Sequence, residues 1–338
     1  MILVLNCGSQ SIKWKVFNEK LKLVQEGKRD VFVPSEFSNI LEEELNKITE
    51  EITVVGHRVV HGGRNFTKPL KITEENLNEL EKLNHLAPLH NPYNVLGIKA
   101  CQKVFKNASQ IAVFDTEFFA DLPEKAYTYA IPENTAKEFG FRRFGFQGTS
   151  HEYAAKRAAD MFKKPVNKLR IITCHLGGGA SVSAIKNGKA IDTSMGFTPL
   201  EGLVMMTRSG NIDAGIVFEL VKQFGVEGAD KILNKESGIK GVCGEGDMLK
   251  VFDKIKQKDE KAKLAFDVFV YSVQKYIGSY FAILGGCDVL VFTGSVGSGN
   301  PKTRNAICKN LDILKKTKVL AIKTDEELAI AQKIIKIK

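Results

Sequence analysis

Residues 2–17 read ILVLNCGSQSIKWKVF, an apolar run followed by a Gly/Ser turn and an alternating segment. This order predicts a strand, a tight turn and a second strand, because apolar runs and period-two alternation are typical of strands. Residues 170–186, RIITCHLGGGASVSAIK, repeat the same order in the second half of the chain. Such a repeat indicates two similar domains, each of which opens on a hairpin.

Each half also contains a later strand with polar or glycine residues at its end. Residues 110–114, QIAVF, precede Asp115, and residues 289–300 read VLVFTGSVGSGN, a strand that leads into a glycine-rich turn. Open α/β sheets bind ligands at the carboxyl ends of their strands, so we expect site residues at both places. We predict an α/β fold of two duplicated domains that face each other across an interdomain cleft.

Length and composition predict a soluble, two-domain protein. The 338 residues exceed one ordinary core, and 43% hydrophobic and 26% charged residues are typical of globular proteins. No apolar run reaches membrane-spanning length, and the N-terminal MILVLNCGSQ lacks the basic region of a signal peptide. We therefore expect a cytoplasmic protein without a membrane partner. The six cysteines are scattered without a CxxC pair, which favours free buried thiols.

The basic charge comes mainly from dispersed lysine. The net charge is +10, yet only nine of the 49 basic residues are Arg, and the lysines are not clustered with aromatic residues. This pattern favours a solvated surface over nucleic-acid binding. Arg58 and Arg208 stand apart because they lie among glycines and apolar residues, where a bidentate guanidinium is most useful for anion binding.

Residues 192–210, DTSMGFTPLEGLVMMTRSG, form a nearly uncharged stretch. Gly196, Pro199 and Gly202 among apolar residues favour a buried turn that lines a pocket over a regular helix or strand. Arg208 would place a guanidinium at the edge of that pocket, which suits a small carboxylate with an alkyl tail beside a phosphoryl group. The alternative is a core loop whose Arg makes a structural ion pair.

Other segments complete the expected site. Residues 52–60, ITVVGHRVV, predict a buried strand in which Arg58 must be paired or face a ligand. Irregular residues 86–92 carry His90, and Thr149 or Ser150 is expected to cap a helix. Helical patterns cover 35–51, 94–105, 133–138 and 261–284. Three further helical segments are expected: one that starts after the capping residue Thr73, one that ends at Lys163, and a final helix capped at 324–327.

These features together predict phosphoryl transfer between a nucleotide and a small acceptor. Arginines neutralise the oxygens of the transferring group, a carboxylate holds magnesium, and turn amides hold the phosphates. No GxxxxGK[ST] motif occurs, which excludes a P-loop protein.

The sequence resembles the acetate kinase family of the sugar kinase, Hsp70 and actin superfamily. Its motifs run through nearly the whole chain in the family's order: NCGSQSIK, GHRVVHGG, LAPLHNP, FDT, GFQGTSH, HLGGGAS, DTSMGFTPLEGLVMMTRSGNID and TDEELAIA. The resemblance implies duplicated ribonuclease H-like domains: an acyl- and phosphate-binding domain of 1–117 plus 326–338, and a nucleotide-binding and dimerisation domain of 118–325. It implies a homodimer that phosphorylates acetate reversibly with ATP and magnesium by in-line transfer.

The resemblance also implies roles for individual residues. Arg58 and Arg208 would bind the phosphoryl group and the carboxylate, Asp115 would orient the site near the attacking oxygen, and His90 and Gln147 would contact phosphoryl oxygens. The carboxylate is already ionised at pH 7, so no general base is required. The remaining residues are Asn6 and Glu326 for magnesium; Val60, Leu89, Phe146 and Pro199 for the acyl group; Ser9, Ser11 and Lys13 for phosphate; and His175, Gly177, Gly178, Gly179, Gly294, Ser295, Val296 and Gly297 for the nucleotide.

Three departures from the family pattern bear on activity. Gln147 replaces the His of GFHGTSH and keeps a hydrogen-bond donor, while Gly178 replaces the Asn of HLGNG, as in butyrate kinases. Residues 294–299 read GSVGSG in place of GGIGEN. The chain is also shorter than usual within 17–50 and near 311–320.

Alternative functions remain at this point. A propionate or butyrate kinase is one, although unmodified Val60, Phe146 and Pro199 favour the small acid. A low-activity or non-catalytic nucleotide-binding relative is another, with Gln147 and Gly178 as the lesions. A sugar kinase needs a polar acceptor pocket, whereas the mostly apolar residues 195–206 offer an apolar one.

Overall fold

The computed structural model describes residues 1–9, 11–88 and 90–337. The strands are β1 (Ile2–Gly8), β2 (Ser11–Phe17), β3 (Leu23–Asp30), β4 (Val54–Val59), β5 (Leu70–Lys71), β6 (Ser109–Phe114), β7 (Ile171–Leu176), β8 (Ala180–Lys186), β9 (Lys189–Thr193), β10 (Val289–Thr293) and β11 (Lys318–Ala321). The α-helices are α1 (Phe37–Asn46), α2 (Glu74–Lys82), α3 (Asn91–Val104), α4 (Glu124–Tyr127), α5 (Glu133–Glu138), α6 (Gly148–Phe162), α7 (Ala214–Lys231), α8 (Gly238–Cys243), α9 (Met248–Lys256), α10 (Glu260–Leu284), α11 (Gly294–Gly297), α12 (Pro301–Cys308) and α13 (Glu326–Ile334). Short 3-10 helices cover Pro34–Glu36, Leu83–Leu86, Glu117–Phe119, Val166–Lys168 and Asp312–Leu314, and Ile232–Glu236 is a π-helix.

The chain divides into two compact units, each with its own mixed sheet. The first comprises Met1–Ala120, Phe146–Tyr153 and Asp325–Lys338, and the second comprises Asp121–Gly145 and Ala154–Thr324. The strand order is β3-β2-β1-β4-β6-β5 in the first sheet and β11-β10-β7-β8-β9 in the second. The last helix, α13, belongs to the first unit although it ends the chain.

The two sheets are built in the same way, which confirms the predicted duplication. β1 pairs antiparallel with β2 and parallel with β4, and β7 pairs antiparallel with β8 and parallel with β10. The sequence did not predict the edge strand β3, LVQEGKRD, because it has no buried side chain and therefore no apolar alternation.

The helical expectations hold with one correction. Helix α10 is confirmed, and Thr73 and Asn76 form the capping box of α2. The capping role expected for Thr149 or Ser150 is wrong, because α6 begins at Gly148 and both residues lie inside its first turn. The hydroxyl of Thr149 instead donates to Asp115 Oδ1 at 3.2 Å.

All six cysteines are free thiols, as expected; five are buried and Cys308 is partly buried. In the described part of the chain, no helix combines the length and apolar composition needed to cross a bilayer.

Alternate side chains of β1 lie in two different core layers of the first unit. Leu3 and Leu5 pack with residues of α1 and α3, whereas Ile2 and Val4 pack with α13. On the α13 side, Gly56 of β4 leaves the helix close to the sheet. A Cβ at this position would lie 2.9 Å from Ile330 Cγ2 and 2.9 Å from Ile334 Cδ1. The sheet therefore approaches α13 more closely than any larger residue would permit.

Replacing Gly56 with Ala should destabilise the first unit by about 1–3 kcal/mol, because the added methyl group overpacks this contact. Urea unfolding followed by circular dichroism measures the change. The double variant Gly56→Ala/Ile334→Val lacks one of the two opposing methyl groups and should recover part of the loss. An unfolding midpoint of Gly56→Ala equal to the parent's would show that α13 is not packed as described.

A second feature of β4 links stability to pH. His57 is 1% exposed, and its Nε2 lies 2.7 Å from Gln110 Oε1. Burial lowers the pKa of His57 to about 4 from an ordinary 6.5, because the charged imidazolium would be desolvated. The folded state therefore keeps this ring neutral where the unfolded chain already binds a proton.

The free energy of unfolding should fall as pH drops from about 6.5 to about 4, by about 3 kcal/mol from His57. Below that range this group should contribute no further change. His57→Gln keeps a donor for Gln110 and should flatten the curve, whereas the same substitution at exposed His85 should not. Unfolding by urea between pH 4 and pH 8 tests this, and parallel curves for the parent and His57→Gln would contradict it.

Candidate active site

A polar cluster of the first unit lies where three neighbouring strands end. Asn6 is on β1, Arg58 is on β4 and Asp115 follows β6, and these strands run parallel. Arg58 Nη2 donates to Asp115 Oδ2 at 2.6 Å, and its Nε lies 3.2 Å from Oδ1. Its Nη1 donates to Asn6 Oδ1 at 3.2 Å. Of the two expectations for Arg58, the paired one is confirmed.

The start of α13 adds carboxylates to this cluster. Glu326 Oε2 lies 3.5 Å from Arg58 Nη1, and Asn6 Nδ2 donates to Glu327 Oε1 at 3.3 Å. Burial alone would lower the pKa of the Arg58 guanidinium, but Asp115 and Glu326 raise it above its ordinary value. Arg58 therefore remains a cation.

Glu326 is a carboxylate of this cluster whose charge its neighbours only partly neutralise. Burial raises its pKa, and the charges of Asp115 and Glu327 add to the rise, which Arg58 and Lys13 only partly offset. A carboxylate in such surroundings is stabilised when a cation binds beside it. Among the described residues, no three His, Cys, Asp or Glu side chains form a complete metal site.

The first residues of α6 also bind Asp115. The Gly148 N–H donates to the Asp115 carbonyl at 2.9 Å, next to the hydrogen bond from the Thr149 hydroxyl. Gln147 has a φ of 60°, an uncommon conformation for a residue with a side chain and one often found at functional sites. The role of Thr149 was missed because a Thr at a helix start reads as a cap in sequence.

The other predicted residues of the first unit lie at several places. Ser9 is in the turn between β1 and β2, Ser11 and exposed Lys13 are on β2, and His90 immediately precedes α3. Val60 and Phe146 are buried, and the Phe146 ring packs edge-on against His61 at 5.3 Å. Leu89 lies outside the described residues.

The second unit contains the predicted apolar turn. Residues 194–213 have no helix or strand, and Met195, Leu203 and Met205 are buried. Half-buried Arg208 donates to the Pro199 carbonyl at 3.4 Å, and its Nη1 lies 3.8 Å from Met205 Sδ. No carboxylate of the described residues pairs with it, and burial lowers its pKa. The structural ion pair considered for Arg208 is therefore absent from the described structure.

The glycine turns of the second unit border a cavity of about 350 Å³. His175 lies in β7, next to the turn 177–179, and Gly294, with a φ of 77°, begins α11 after β10. The cavity lining includes Gly178, Met206, Met248, Ser295, Val296 and Asn300. A Cβ at Gly178 would meet no atom within 4 Å, so this position leaves the cavity open. Met248 was not predicted, because it belongs to none of the motifs that the sequence analysis singled out.

Comparison with known proteins identifies the family. A family model described as "Acetokinase family" matches residues 22–334. Acetate kinase of Carboxydothermus hydrogenoformans is 42% identical over 392 aligned positions that cover 99% of this chain and 98% of that protein. This chain belongs to the acetokinase family. It is therefore a kinase, and the family reaction uses ATP.

Further relatives of the acetokinase family agree in sequence and fold. Acetate kinase of Dictyoglomus turgidum is 42% identical over 99% of this chain and 97% of its own length. The crystal structure of Porphyromonas gingivalis acetate kinase matches with a TM-score of 0.90 and 37% identity, covering 100% of this chain and 99% of that one. A propionate kinase from Francisella tularensis matches with a TM-score of 0.88 and 36% identity over 98% of both chains.

The 392 aligned positions exceed the 338 residues of this chain. Because both proteins are covered almost completely, the acetokinase relative carries internal segments that this chain lacks.

Proposed function

We propose that this chain catalyses the reversible phosphorylation of acetate by ATP, with magnesium, through direct in-line transfer. The observation that carries this proposal is Arg208, a half-buried guanidinium that follows an apolar turn and pairs with no described carboxylate. A buried cation without a counter-ion favours an anionic ligand, and the adjoining apolar residues favour an alkyl group on that ligand.

Arg208 is assigned to the carboxylate and the transferring phosphoryl group. In the first unit, Arg58, His90 and Gln147 are assigned to the phosphoryl oxygens, and Asp115 orients the site near the attacking oxygen. An acetate carboxylate is ionised at neutral pH, so catalysis depends on positioning and charge neutralisation rather than on a general base.

Asn6 and Glu326 fit a magnesium ion by their chemistry. Magnesium uses one or two carboxylates together with water and substrate phosphates, and Glu326 is an incompletely neutralised carboxylate. The side-chain oxygen of Asn6 accepts from Arg58 and lies in the same cluster. Magnesium bound here would neutralise nucleotide phosphate charge.

The remaining assignments follow the two domains. We propose that 1–117 plus 326–338 binds the acyl and phosphate groups, with Val60 and Leu89 at the acyl group and Ser9, Ser11 and Lys13 at the phosphate. Phe146 and Pro199, which lie outside these ranges, are also assigned to the acyl group. Residues 118–325 would bind the nucleotide, through His175, the turn 177–179 and residues 294–297. Propionate is a second candidate acceptor, favoured by the structural match to a propionate kinase.

A screen of purified protein with acetate, propionate and butyrate tests the acceptor. Acyl phosphate is measured as the hydroxamate and ADP by a coupled assay, with ATP, GTP and pyrophosphate as donors. The proposal requires the highest kcat/KM for acetate with ATP and loss of turnover after magnesium removal. Nucleotide binding without carboxylate-dependent turnover would instead support a non-catalytic relative.

Replacing Arg208 with Ala should lower kcat/KM for acetate by about a hundredfold or more, because charge neutralisation is lost in both the ground and the transition state. Arg208→Lys should recover only part of it, since an ammonium lacks the bidentate fork. The control is Arg157→Ala on the exposed part of α6, which should retain parent kinetics. Parent-like kcat/KM in Arg208→Ala would exclude the assigned role.

We also propose that the protein is a homodimer that uses α7 and the neighbouring apolar surface of the second unit. Ala229 is the one buried residue of α7, whereas Phe218 is 66% and Val226 is 72% exposed. A helix with this much exposed apolar surface is unusual for a monomer, and a second copy of the chain would cover it.

The double variant Phe218→Glu/Val226→Glu should shift the mass measured by light scattering from two chains to one, because paired copies would bury four carboxylates in an apolar interface. The control is Phe32→Glu, which changes an exposed aromatic residue of the first unit and should leave the mass unchanged. A parent protein with the mass of a single chain would contradict the homodimer.

A further inference from the structure

The turn that carries Pro199 and Arg208 is held in place by a polar cluster that none of the proposed substrate contacts includes. Arg143 Nη1 donates to the three successive carbonyls of 193–195 at 3.2, 3.3 and 3.2 Å. Its Nη2 donates to Glu201 Oε1 at 2.5 Å. One guanidinium thus joins the beginning of the turn to a carboxylate in its middle.

Tyr129 completes this cluster. Its hydroxyl donates to Glu201 Oε2 and accepts from the Phe197 N–H at 2.8 Å. Burial raises the pKa of Tyr129, and the Glu201 carboxylate raises it further, so the hydroxyl stays protonated and able to donate. Both oxygens of Glu201 are therefore bound, one by Arg143 and one by Tyr129.

Gly196 makes room for these contacts. A Cβ at this position would overlap both Glu201 Oε2 and the Tyr129 hydroxyl oxygen. Its carbonyl accepts from the Phe144 N–H at 3.0 Å, which brings the segment after Arg143 against the turn. Any other residue at 196 must displace Glu201 or Tyr129.

Glu201 lies between the two parts of the turn that are assigned to substrate. Pro199 is two residues before it, and the Pro199 carbonyl accepts from Arg208. After it, Gly202 and Asn211 exchange hydrogen bonds, the Gly202 N–H to Asn211 Oδ1 at 2.9 Å and the Asn211 N–H to the Gly202 carbonyl at 3.0 Å. This pair closes a loop that contains Arg208, so Glu201 lies next to the closure of the Arg208 loop and two residues from Pro199.

We propose that Glu201 is a positioning residue: held by Arg143 and Tyr129, it sets the place of Arg208 and Pro199 and thereby the affinity for the carboxylate substrate. This inference rests on the proposed function. It assigns to the cluster a role in acceptor binding and none in nucleotide binding.

The test is steady-state kinetics of Glu201→Gln, with acetate and ATP varied in turn. The amide keeps the size of the side chain but removes the charge that binds Arg143. KM for acetate should rise by about tenfold to a hundredfold, as expected when a binding group is misplaced by a fraction of an ångström to an ångström. KM for ATP should change less than twofold.

Gly196→Ala provides an independent route to the same displacement. It leaves Glu201, Arg143 and Tyr129 chemically intact, yet should raise KM for acetate in the same way. Glu201→Asp, which keeps the charge, should recover part of the acetate affinity that Glu201→Gln loses. Arg143→Lys should lower the acetate affinity as Glu201→Gln does, because an ammonium cannot reach three carbonyls and a carboxylate together.

The matched control is Asp288→Asn. Asp288 also binds an arginine of the second unit through both oxygens, with Arg170 Nη2 at 2.7 Å, but contacts no residue of the turn. This variant should keep both KM values. Melting temperatures of all variants are measured beside the kinetics to separate loss of fold from loss of position.

The outcomes separate the two proposals. If the parent enzyme phosphorylates acetate and Glu201→Gln keeps the parent's KM for acetate, the positioning role is overturned while the proposed function stands. Equal increases in KM for acetate and ATP indicate a general structural role and also overturn it. A parent without carboxylate-dependent turnover overturns both.

Discussion

Arg58 enters a strand of buried valines, and the Asp115 carboxylate is what permits a guanidinium to lie there. Nη2 and Nε of Arg58 both bind that carboxylate, with the shortest distance 2.6 Å. An unpaired charge at this depth would cost several kcal/mol, so the pair stabilises the arrangement in which β4 and β6 lie side by side. The same register of parallel strands brings Asn6 to Nη1. The fold of the first unit and the geometry of its polar cluster therefore have one origin.

In the second unit, Arg208 is not paired with a described carboxylate. Arg208 is half-buried beside Met205 and the Pro199 carbonyl, with no described carboxylate to neutralise it. The two arginines that the sequence singles out thus differ in their surroundings: Arg58 is bound to a carboxylate, whereas Arg208 has no described carboxylate partner.

Sequence patterns could predict the parts of the structure that are determined locally. The duplicated hairpins, the strand before Asp115 and the capping box at Thr73 each depend on residues close together in the chain, and all three are confirmed. Edge strand β3 escaped prediction because it buries no side chain. Helix α7 escaped it because its apolar residues are exposed rather than aligned on one buried face, and Gly225 interrupts it with a φ of 70°.

Long-range polar contacts were beyond the reach of sequence patterns for a different reason. Arg143 and Glu201 are 58 residues apart, and each alone reads as an ordinary surface charge. The same holds at the chain's end, where acidic residues before a helix read as dipole partners although Glu326 lies 3.5 Å from Arg58.

The C-terminal helix shows how such long-range contacts connect fold and site. Its apolar face packs on β1 and β4 close to Gly56, while Lys333 binds Glu117 at 2.9 Å and Glu152 at 2.7 Å. Glu117 is two residues after Asp115, so the helix is fixed both to the sheet and to the segment that leaves the site. Glu326, seven residues before Lys333, lies on the same side of the helix two turns earlier. The carboxylate proposed for magnesium is therefore placed by packing and ion pairs distributed along α13, and the same helix supplies Glu327 as a hydrogen-bond partner of Asn6 on the first strand.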